Sequence, residues 1–268
     1  MPSHDEPFSD RQLESFQTLV DIVARLRAPG GCPWDREQTH DSLKRHLIEE
    51  SYEVIEAIDQ GNPDILSEEL GDVLAQIAFH SDIAKETGDF KIDEVLHKIN
   101  SKLVRRHPHV FSDWQVTDAR EVERNWEQIK AQERTEKGEI KSPVQGIPSD
   151  LPALAYAQLM QDRVGKAGFE WDDISGVLDK LLEEVAEFRA AVTVEEREHE
   201  LGDLLFSMVN LTRWAGAHAE DVLRKANQRF SKRYLGMEKL ASERGQDFEV
   251  LSLDEKELLW QEAKRLTG

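Results

Sequence analysis

An internal repeat constrains this fold more than any other feature of the sequence. Three stretches from the first half of the chain recur in the second half in the same order. They are LIEESYEV at 47–54 and LLEEVAEF at 181–188, ELGDVL at 69–74 and ELGDLL at 200–205, and DEVLHKINSK at 93–102 and EDVLRKANQR at 220–229. Since a repeated sequence reports a repeated structural unit, the chain is expected to contain two copies of one module.

The hydrophobic pattern predicts that both modules are helical. Apolar residues recur three and four positions apart along almost the whole chain, which is the period of an amphipathic α-helix, and no convincing alternating strand pattern is present. We therefore predict an all-α fold of tandem duplicated helical modules. The expected helices span residues 10–27, 41–60, 63–87, 92–106, 119–136, 151–167, 174–192, 194–216, 219–243 and 253–266.

Glycine and proline residues mark the boundary between the two copies. They cluster between two helical patterns, a composition typical of a linker, at Gly138, Pro143, Gly146, Pro148 and Pro152. We expect a flexible N-terminal tail over residues 1–9, a helical domain over 10–136, a linker over 137–150 and a second helical domain over 151–268.

Net charge narrows the choice of partners. The 268 residues include 34 Lys and Arg against 54 Asp and Glu, a formal net charge of −20. Such a field repels nucleic acid and anionic membranes, and no apolar run approaches the roughly 20 residues of a membrane span. The polar N-terminus and the single cysteine, Cys32, are typical of a reduced compartment. We expect a cytoplasmic protein that binds neither nucleic acid nor membrane.

Acidic residues converge on two helices in each copy. Residues three and four apart share a helix face, which groups Glu49, Glu50 and Glu53, then Glu69 and Asp72, in the first copy, and Glu183, Glu184 and Glu187, then Glu200 and Asp203, in the second. A solvated acidic face is the ordinary interpretation of any single pair. However, Glu50 and Glu184 interrupt apolar rows, which directs them toward the core. The helices of Asp72 and Asp203 are otherwise mostly apolar, so both aspartates are expected to be at least partly buried.

Partly buried carboxylates that converge repel one another and require cations. The motifs offer carboxylate oxygens and contain no histidine or cysteine. Such a donor set suits Mg²⁺, with Mn²⁺ as a substitute, better than Zn²⁺. Mg²⁺ keeps coordination positions for water and substrate oxygens, most often those of phosphate.

Basic rows provide candidate phosphate contacts. Lys225 and Arg229 lie one turn apart beside Asn227, and the first copy repeats them as Lys98, Lys102 and Asn100. A salt-bridged solvent face is the alternative. Lys180, one turn before Glu184, has only His46 as its counterpart, and Trp260 could pack in the core or stack on a purine base.

Several motifs together resemble the two-domain MazG nucleoside triphosphate pyrophosphohydrolases across residues 10–267. They are Glu-Glu-x-x-Glu followed by Glu-x-x-Asp, GCPWDREQT at 31–39, RRHPHVF at 105–111 and IPSDLPAL at 147–154. The resemblance implies the all-α NTP pyrophosphatase fold with four-helix arrangements and a homodimer. It also implies Mg²⁺-dependent hydrolysis of NTPs and dNTPs to the monophosphate and pyrophosphate.

The resemblance also assigns the site. It implies that Mg²⁺ is held by Glu184, Glu187, Glu200 and Asp203, and that the nucleotide is lined by Lys180, Glu183, Lys225, Asn227, Arg229 and Trp260. It makes the second copy the main catalytic one. The first copy keeps its own metal candidates, Glu50, Glu53, Glu69 and Asp72, so it could be a second catalyst, a regulatory site or a scaffold. We expect in-line attack of water on the α-phosphorus, with Glu183 as a candidate proton acceptor.

Two other functions remain open from the sequence. The dipeptides His4-Asp5 and His40-Asp41 are compatible with an HD-type phosphohydrolase, although both lie outside the repeat. The acidic clusters are also compatible with a non-catalytic helical module that binds a metal or a nucleotide.

Overall fold

A computed structural model describes residues 8–136 and 142–267 of the chain. Within these ranges the regular structure consists of α-helices and one short 3₁₀-helix, with no strand. The predicted all-α fold is therefore confirmed. No helix in the same ranges has the length and apolar content needed to cross a bilayer. Most of the expected tail, part of the expected linker and the His4-Asp5 dipeptide lie outside the described residues.

The chain divides into two compact units, residues 1–137 and 138–268. The helices of the first unit are α1 (Asp10–Leu13), α2 (Phe16–Arg27), α3 (Pro33–Glu37), α4 (Lys44–Gln60), α5 (Pro63–Thr87), α6 (Ile92–Arg106), α7 (Pro108–Phe111) and α8 (Ala119–Glu136). Those of the second unit are α9 (Ala153–Lys166), α10 (Ile174–Ala190), α11 (Val194–Trp214), α12 (Ala219–Glu243) and α13 (Leu253–Thr267), with the 3₁₀-helix at Phe248–Val250.

A helical hairpin with a short connection lies in each unit. In the first, Gly61 ends α4 in the left-handed conformation at φ 64°, and the side chain of Asn62 caps the first turn of α5, which begins at Pro63. In the second, Thr193 and Glu196 form a capping box at the start of α11, three residues after α10 ends. These connections set α4 against α5 and α10 against α11, which brings the two acidic motifs of each copy side by side.

Each unit has a small core and leaves many large apolar side chains exposed. In the second unit Met237 and Ala241 of α12 pack against Leu259 and Ala263 of α13. Several leucines on α10, α11 and α12 remain largely exposed, including Leu182, Leu205 and Leu235.

A buried arginine connects three elements of the first unit. Arg27 at the end of α2 is only 6% exposed. Its guanidinium donates to the carbonyl oxygens of Asp35 at 2.5 Å and Gln38 at 3.2 Å, and it forms ion pairs with Asp82 at 3.4 Å and Glu86 at 2.8 Å. Since Asp82 is also buried, loss of the arginine would leave its carboxylate with Lys85, at 3.9 Å, as the remaining cation among the described residues.

We predict that Arg27→Met lowers the free energy of unfolding by about 3–5 kcal/mol, since it removes the nearer cation from the buried carboxylate of Asp82 and leaves only Lys85 at 3.9 Å. Urea unfolding followed by circular dichroism measures this change. The double variant Arg27→Met, Asp82→Asn is the control, because neutralising the stranded group should recover part of the loss. A single variant within about 1 kcal/mol of the parent would contradict this account.

A second ion-pair cluster joins α8 to the end of α6. The carboxylate of Glu133 accepts from Arg105 Nε at 2.7 Å and from Arg106 Nη2 at 2.7 Å. The hydrogen bond from Arg106 is the main cause that lowers the pKa of Glu133 to about 2, with Arg105 adding to it. Because the folded pKa lies below the ordinary value of 4.5, this stabilisation is complete above about pH 4.5 and is lost as the pH falls toward 2.

We predict that Glu133→Gln flattens the pH dependence of stability between about pH 4.5 and pH 2, and that it removes about 3 kcal/mol or less at neutral pH. Urea unfolding of parent and variant at a series of pH values tests this. Parallel curves for the two proteins would show that the Glu133 contacts do not contribute.

Candidate metal and nucleotide site

Three carboxylates converge on the α10–α11 hairpin of the second unit. Glu184 comes from α10, while Glu200 and Asp203 lie about one turn apart on α11. One oxygen from each of the three side chains lies within 4.8 Å of the others. Glu184 is only 4% exposed, and the two α11 acids are half-buried. We call Glu184, Glu200 and Asp203 the C-terminal trio.

A lysine supports this trio from within α10. Lys180 Nζ lies 2.9 Å from Glu184 and 2.8 Å from Glu183. The hydrogen bonds to Glu183 and then to Glu184 raise the pKa of Lys180 above its usual range, so its ammonium stays charged at neutral pH. One cation is therefore shared between the buried Glu184 and its neighbour, which leaves most of the negative charge of the trio uncompensated.

Glu187 and His199 border the trio without belonging to it. Desolvation raises the pKa of Glu187, and the negative charges of Glu184 and Glu200 raise it further. His199 Nε2 lies 3.6 Å from Asp203, one turn along α11. His199 is not among the residues predicted for the site, although its spacing of four residues from Asp203 is the available signal.

The first unit repeats the arrangement with less burial. Oxygens of Glu50 on α4 and of Glu69 and Asp72 on α5 also lie within 4.8 Å of one another. We call these residues the N-terminal trio. Desolvation, followed by the charges of Asp72 and Glu53, raises the pKa of Glu50. Desolvation and the charges of Glu53 and Asp72 likewise raise the pKa of Glu69.

The expectation that Asp72 is at least partly buried is wrong, whereas Asp203 is half-buried as predicted. Leu70, Leu74 and Ile77 on the same helix are themselves 37–47% exposed, so this part of α5 is only partly covered although α4 packs against it. The two units also differ in the side chain at the position of Lys180. His46 replaces Lys180 and contacts Glu49 at 3.1 Å, while Glu50 is the member of the trio.

The predicted phosphate and base contacts lie on α12 and α13. Lys225, Asn227 and Arg229 are exposed on α12, which packs against α11 and α13. Trp260 on α13 is half-buried against the α12–α13 core, its ring centroid 5.3 Å from that of Phe230. Arg233 lies over the same indole at 5.8 Å. Trp260 therefore has a core-packing role and still presents part of its ring.

The corresponding tryptophan of the first unit is enclosed differently. Trp126 meets the ring of His107 edge-on at 4.7 Å and the guanidinium of Arg106 at 5.6 Å. Arg106 is also held by Glu133. Lys98, Asn100 and Lys102 are exposed on α6, as their counterparts are on α12.

The geometry does not favour the HD-type alternative. His40 Nδ1 lies 2.7 Å from His80 Nδ1, with the two rings stacked. Asp41 pairs with Lys44 at the surface. Among the described residues, the groupings of three or more potential metal ligands are the two trios, and neither includes His40 or Asp41.

A cavity of about 430 Å³ beside α11 has no counterpart in the sequence predictions. It lies between α9, the segment 168–171 and α11. No motif pointed to it, because its walls come from three separated segments. Glu170 on one wall pairs with Arg213 on another at 2.6 Å.

The trios have the chemistry of a cation site. Carboxylates this close repel strongly, and the repulsion falls when an oxygen-seeking divalent cation binds between them. Each trio draws its ligands from two helices of a hairpin, so the spacing of the oxygens is fixed by helix packing. The donor set therefore fits a divalent metal in both units.

Comparison with known proteins identifies the family of this chain. The family profile described as MazG nucleotide pyrophosphohydrolase domain matches residues 38–111 and 174–235, which include both trios. The nucleoside triphosphate pyrophosphohydrolase/pyrophosphatase MazG of Thermotoga maritima is 47% identical over 93% of this chain and 95% of its own length. The nucleoside triphosphate pyrophosphohydrolase of Escherichia coli K12 is 41% identical over 94% of this chain and 98% of its own length.

A solved structure of a mazG-related protein from Thermotoga maritima covers 43% of this chain and 98% of its own, at 25% identity and a TM-score of 0.38. The stronger finding is the sequence similarity, which runs through both units and both hairpins. With a family profile matched in each half and 47% identity along nearly the full length of a relative, this chain belongs to the MazG family.

Proposed function

We propose that this protein is a nucleoside triphosphate pyrophosphohydrolase that cleaves NTPs and dNTPs to the monophosphate and pyrophosphate. Its full-length relatives carry the name nucleoside triphosphate pyrophosphohydrolase. The observation that carries the proposal is the C-terminal trio, with Lys180 beside it, inside a segment that the family profile matches. Metal-assisted hydrolysis of a phosphoric anhydride requires no nucleophilic side chain, and the trio offers none.

Mg²⁺ is the metal we assign to this site, with Mn²⁺ as a substitute. Glu184, Glu200 and Asp203 would hold it, and Glu187 is the fourth candidate ligand. When bound, the metal neutralises phosphate oxygens and lowers the pKa of an attacking water. The same assignment extends to Glu50, Glu53, Glu69 and Asp72 in the first unit.

The remaining residues of the second unit bind and orient the nucleotide. Lys180, Lys225 and Arg229 offer positive charge for the triphosphate, and Asn227 offers an amide beside them. Glu183 is the candidate acceptor for the proton of the attacking water. The oxygen of that water forms a bond to the α-phosphorus, the bond from the α-phosphorus to the bridging oxygen breaks, and pyrophosphate leaves with that oxygen.

The exposed apolar surface of α10–α12 supports assembly as a homodimer. Leu182, Leu205 and Leu235 are each at least 60% exposed, which is costly for an isolated protein in water. A second copy of the chain would cover this surface. The net charge of −20 supports the further expectation that neither nucleic acid nor an anionic membrane is a partner, and a cytoplasmic location remains part of the proposal.

We predict that purified protein with Mg²⁺ converts nucleoside triphosphates into monophosphate and pyrophosphate, and that a chelator abolishes the reaction because the trio alone cannot neutralise the substrate. Chromatography of the products formed from the eight common NTPs and dNTPs tests both points. Diphosphate plus phosphate would contradict attack at the α-phosphorus. Metal binding without turnover would instead favour a non-catalytic module.

We also predict that the two units contribute unequally to catalysis. Glu187→Gln should reduce kcat by about tenfold or more, whereas the matched variant Glu53→Gln should reduce it by less than about threefold. The reason is that Lys180 contacts the C-terminal trio, while its counterpart His46 contacts Glu49 outside the N-terminal trio. Steady-state kinetics of both variants, with circular dichroism to verify folding, measures the difference. Equal losses would show that the units act alike.

A further inference from the structure

Two histidines of the first unit meet nitrogen to nitrogen. His40 lies in the turn before α4, and His80 lies on α5. Their Nδ1 atoms are 2.7 Å apart, the ring planes are within 6° of parallel and the ring centroids are 5.1 Å apart. That centroid separation is nearly the greatest that this N···N distance allows, so the two nitrogens face each other along one line. One of them therefore donates an N–H, and the other accepts with its lone pair.

The in-line arrangement is that of a hydrogen bond and leaves no room for a metal ion between the rings. Imidazole nitrogens bind a divalent metal such as Zn²⁺ at about 2.0–2.1 Å. An ion on the line between two such nitrogens would require them to be about 4 Å apart, whereas these lie at 2.7 Å. A proton is the cation that fits between His40 and His80.

This hydrogen bond closes the open end of the α4–α5 hairpin. The connection at 61–62 joins the two helices at the other end. The turn that carries His40 is ordered by its own contacts, because the backbone N–H of Thr39 donates to Ser42 Oγ at 3.0 Å and that of Ser42 donates to Thr39 Oγ1 at 3.1 Å. The imidazole pair then ties this ordered turn to His80 on α5.

The two rings differ in their access to water. His40 is exposed, whereas Nε2 of His80 is buried and has no hydrogen-bond partner within the described residues. Gln76 Oε1, one turn earlier on α5, is buried in the same way. Burial, followed by the charge of His40, lowers the pKa of His80. Because an exposed imidazole carries charge at lower cost, a first added proton belongs on His40, which keeps its Nδ1–H for the bond.

The charged groups on the elements around α5 are paired with other side chains or lie farther along the helices. They are Arg27 of α2 with Asp82 and Glu86, Lys85 with Asp82, Lys44 with Asp41, His46 of α4 with Glu49, the N-terminal trio with Glu53, and Asp93 and Glu94 at the start of α6. Asp72 lies eight positions before His80, or about 12 Å along α5. The charge that acts on His80 is therefore that of His40.

The second unit has apolar residues at the corresponding positions. The repeated hairpin aligns His40 with Ile174 and His80 with Leu211. The buried neighbours confirm this register, since Leu43 aligns with Val177 and Ala78 with Val209, and each of these four residues is at most 2% exposed. The first unit thus has a hydrogen bond that depends on protonation at the place where the second unit has side chains that cannot titrate.

We propose that His40 and His80 form a proton-operated latch that holds the turn at 39–42 against α5 in the first unit. The latch stays closed with no added proton or with one, and it opens when both rings are protonated, because two N–H groups then face each other. Glu50 lies on the helix whose start the latch holds, so opening loosens the α4 side of the N-terminal trio. This inference goes beyond the proposed function and does not depend on it.

The direction of the pH dependence follows from His80. Its pKa in the folded protein is below the ordinary value of 6.5, so the stabilisation by the latch is complete above about pH 6.5 and decreases as the pH falls below it. Hydrogen exchange of the full chain, corrected for the intrinsic exchange rate, measures the opening. Between about pH 7.5 and about pH 5 we expect protection of residues 39–47 to fall by about threefold or more relative to residues 173–181.

The double variant His40→Ile, His80→Leu gives the first unit the residues of the second at both positions. Its protection at 39–47 relative to 173–181 should change by less than about 1.5-fold over the same pH range. The acids of the N-terminal trio are present in parent and variant, so their titration does not account for the difference. His97→Gln is the matched control, because it removes an exposed histidine of α6 and should keep the pH dependence of the parent.

Nuclear magnetic resonance of the full chain labelled with ¹⁵N-histidine provides a test that needs no variant. At neutral pH one Nδ1 of the pair should have the chemical shift of a protonated nitrogen and the other that of a bare one. As the pH falls, one ring should remain neutral after the other has become charged. Two rings that titrate independently near pH 6.5, or a double variant as pH-dependent as the parent, would overturn the latch. Neither result bears on nucleotide hydrolysis, which the product analysis tests separately.

Discussion

Mutual repulsion among the carboxylates of each trio is the constraint on which the rest of the structure depends. Oxygens of Glu184, Glu200 and Asp203 lie within 4.8 Å of one another, and Glu184 is almost fully buried. Such a cluster persists only if a rigid scaffold holds it and positive charge offsets it. The hairpin connection at 191–193 and the capping box of α11 supply the scaffold. Lys180 supplies part of the charge, and a metal would supply the remainder.

The carboxylates of the two trios repel one another in different surroundings. Glu184 is buried against a permanently charged lysine, and low local polarity strengthens that interaction. Glu50 is only half-buried, and Asp72 is exposed, so water screens much of the repulsion in the first unit. The first unit thus needs a cation less and would gain less from binding one. The difference lies in the environment of the carboxylates, since the acids themselves are present in both copies.

Much of the fold could be predicted because the residues that mark helix ends agree with the helical period of the hydrophobic pattern. The helices at 63–87, 92–106 and 119–136 have the predicted bounds. The predicted helix over 10–27 is interrupted, because Ser15, an extended N-cap residue, begins a second helix at Phe16. The helices at Pro33–Glu37 and Pro108–Phe111 were not predicted, since four or five residues are too few to show a period. The exposure of Asp72 depends on which helix face a neighbour covers, and periodicity carries no information about that.

The candidate site, like the fold, could be predicted only in part from the sequence. Convergence of the acids could be predicted from spacing, because residues three and four apart on adjacent helices must meet once the hairpin closes. The cavity could not, because its walls come from three separated segments and one of its acids, Glu170, is supplied by a loop.

The duplicated module differs between the copies mainly in the elements around the hairpin. The carboxylates of the trios belong to the repeated hairpin, whereas α9 and the segment 168–171, which form the other cavity walls, lie outside it. Changes in α9 or in this segment can therefore reshape the cavity without moving the carboxylates of the trio. At the position of Val164 the first unit has Arg27, whose ion pair with Asp82 joins α2 to α5 beside a cavity of about 460 Å³. The repeat thus preserves the carboxylates of both trios, while the side chains packed around them differ between the two units.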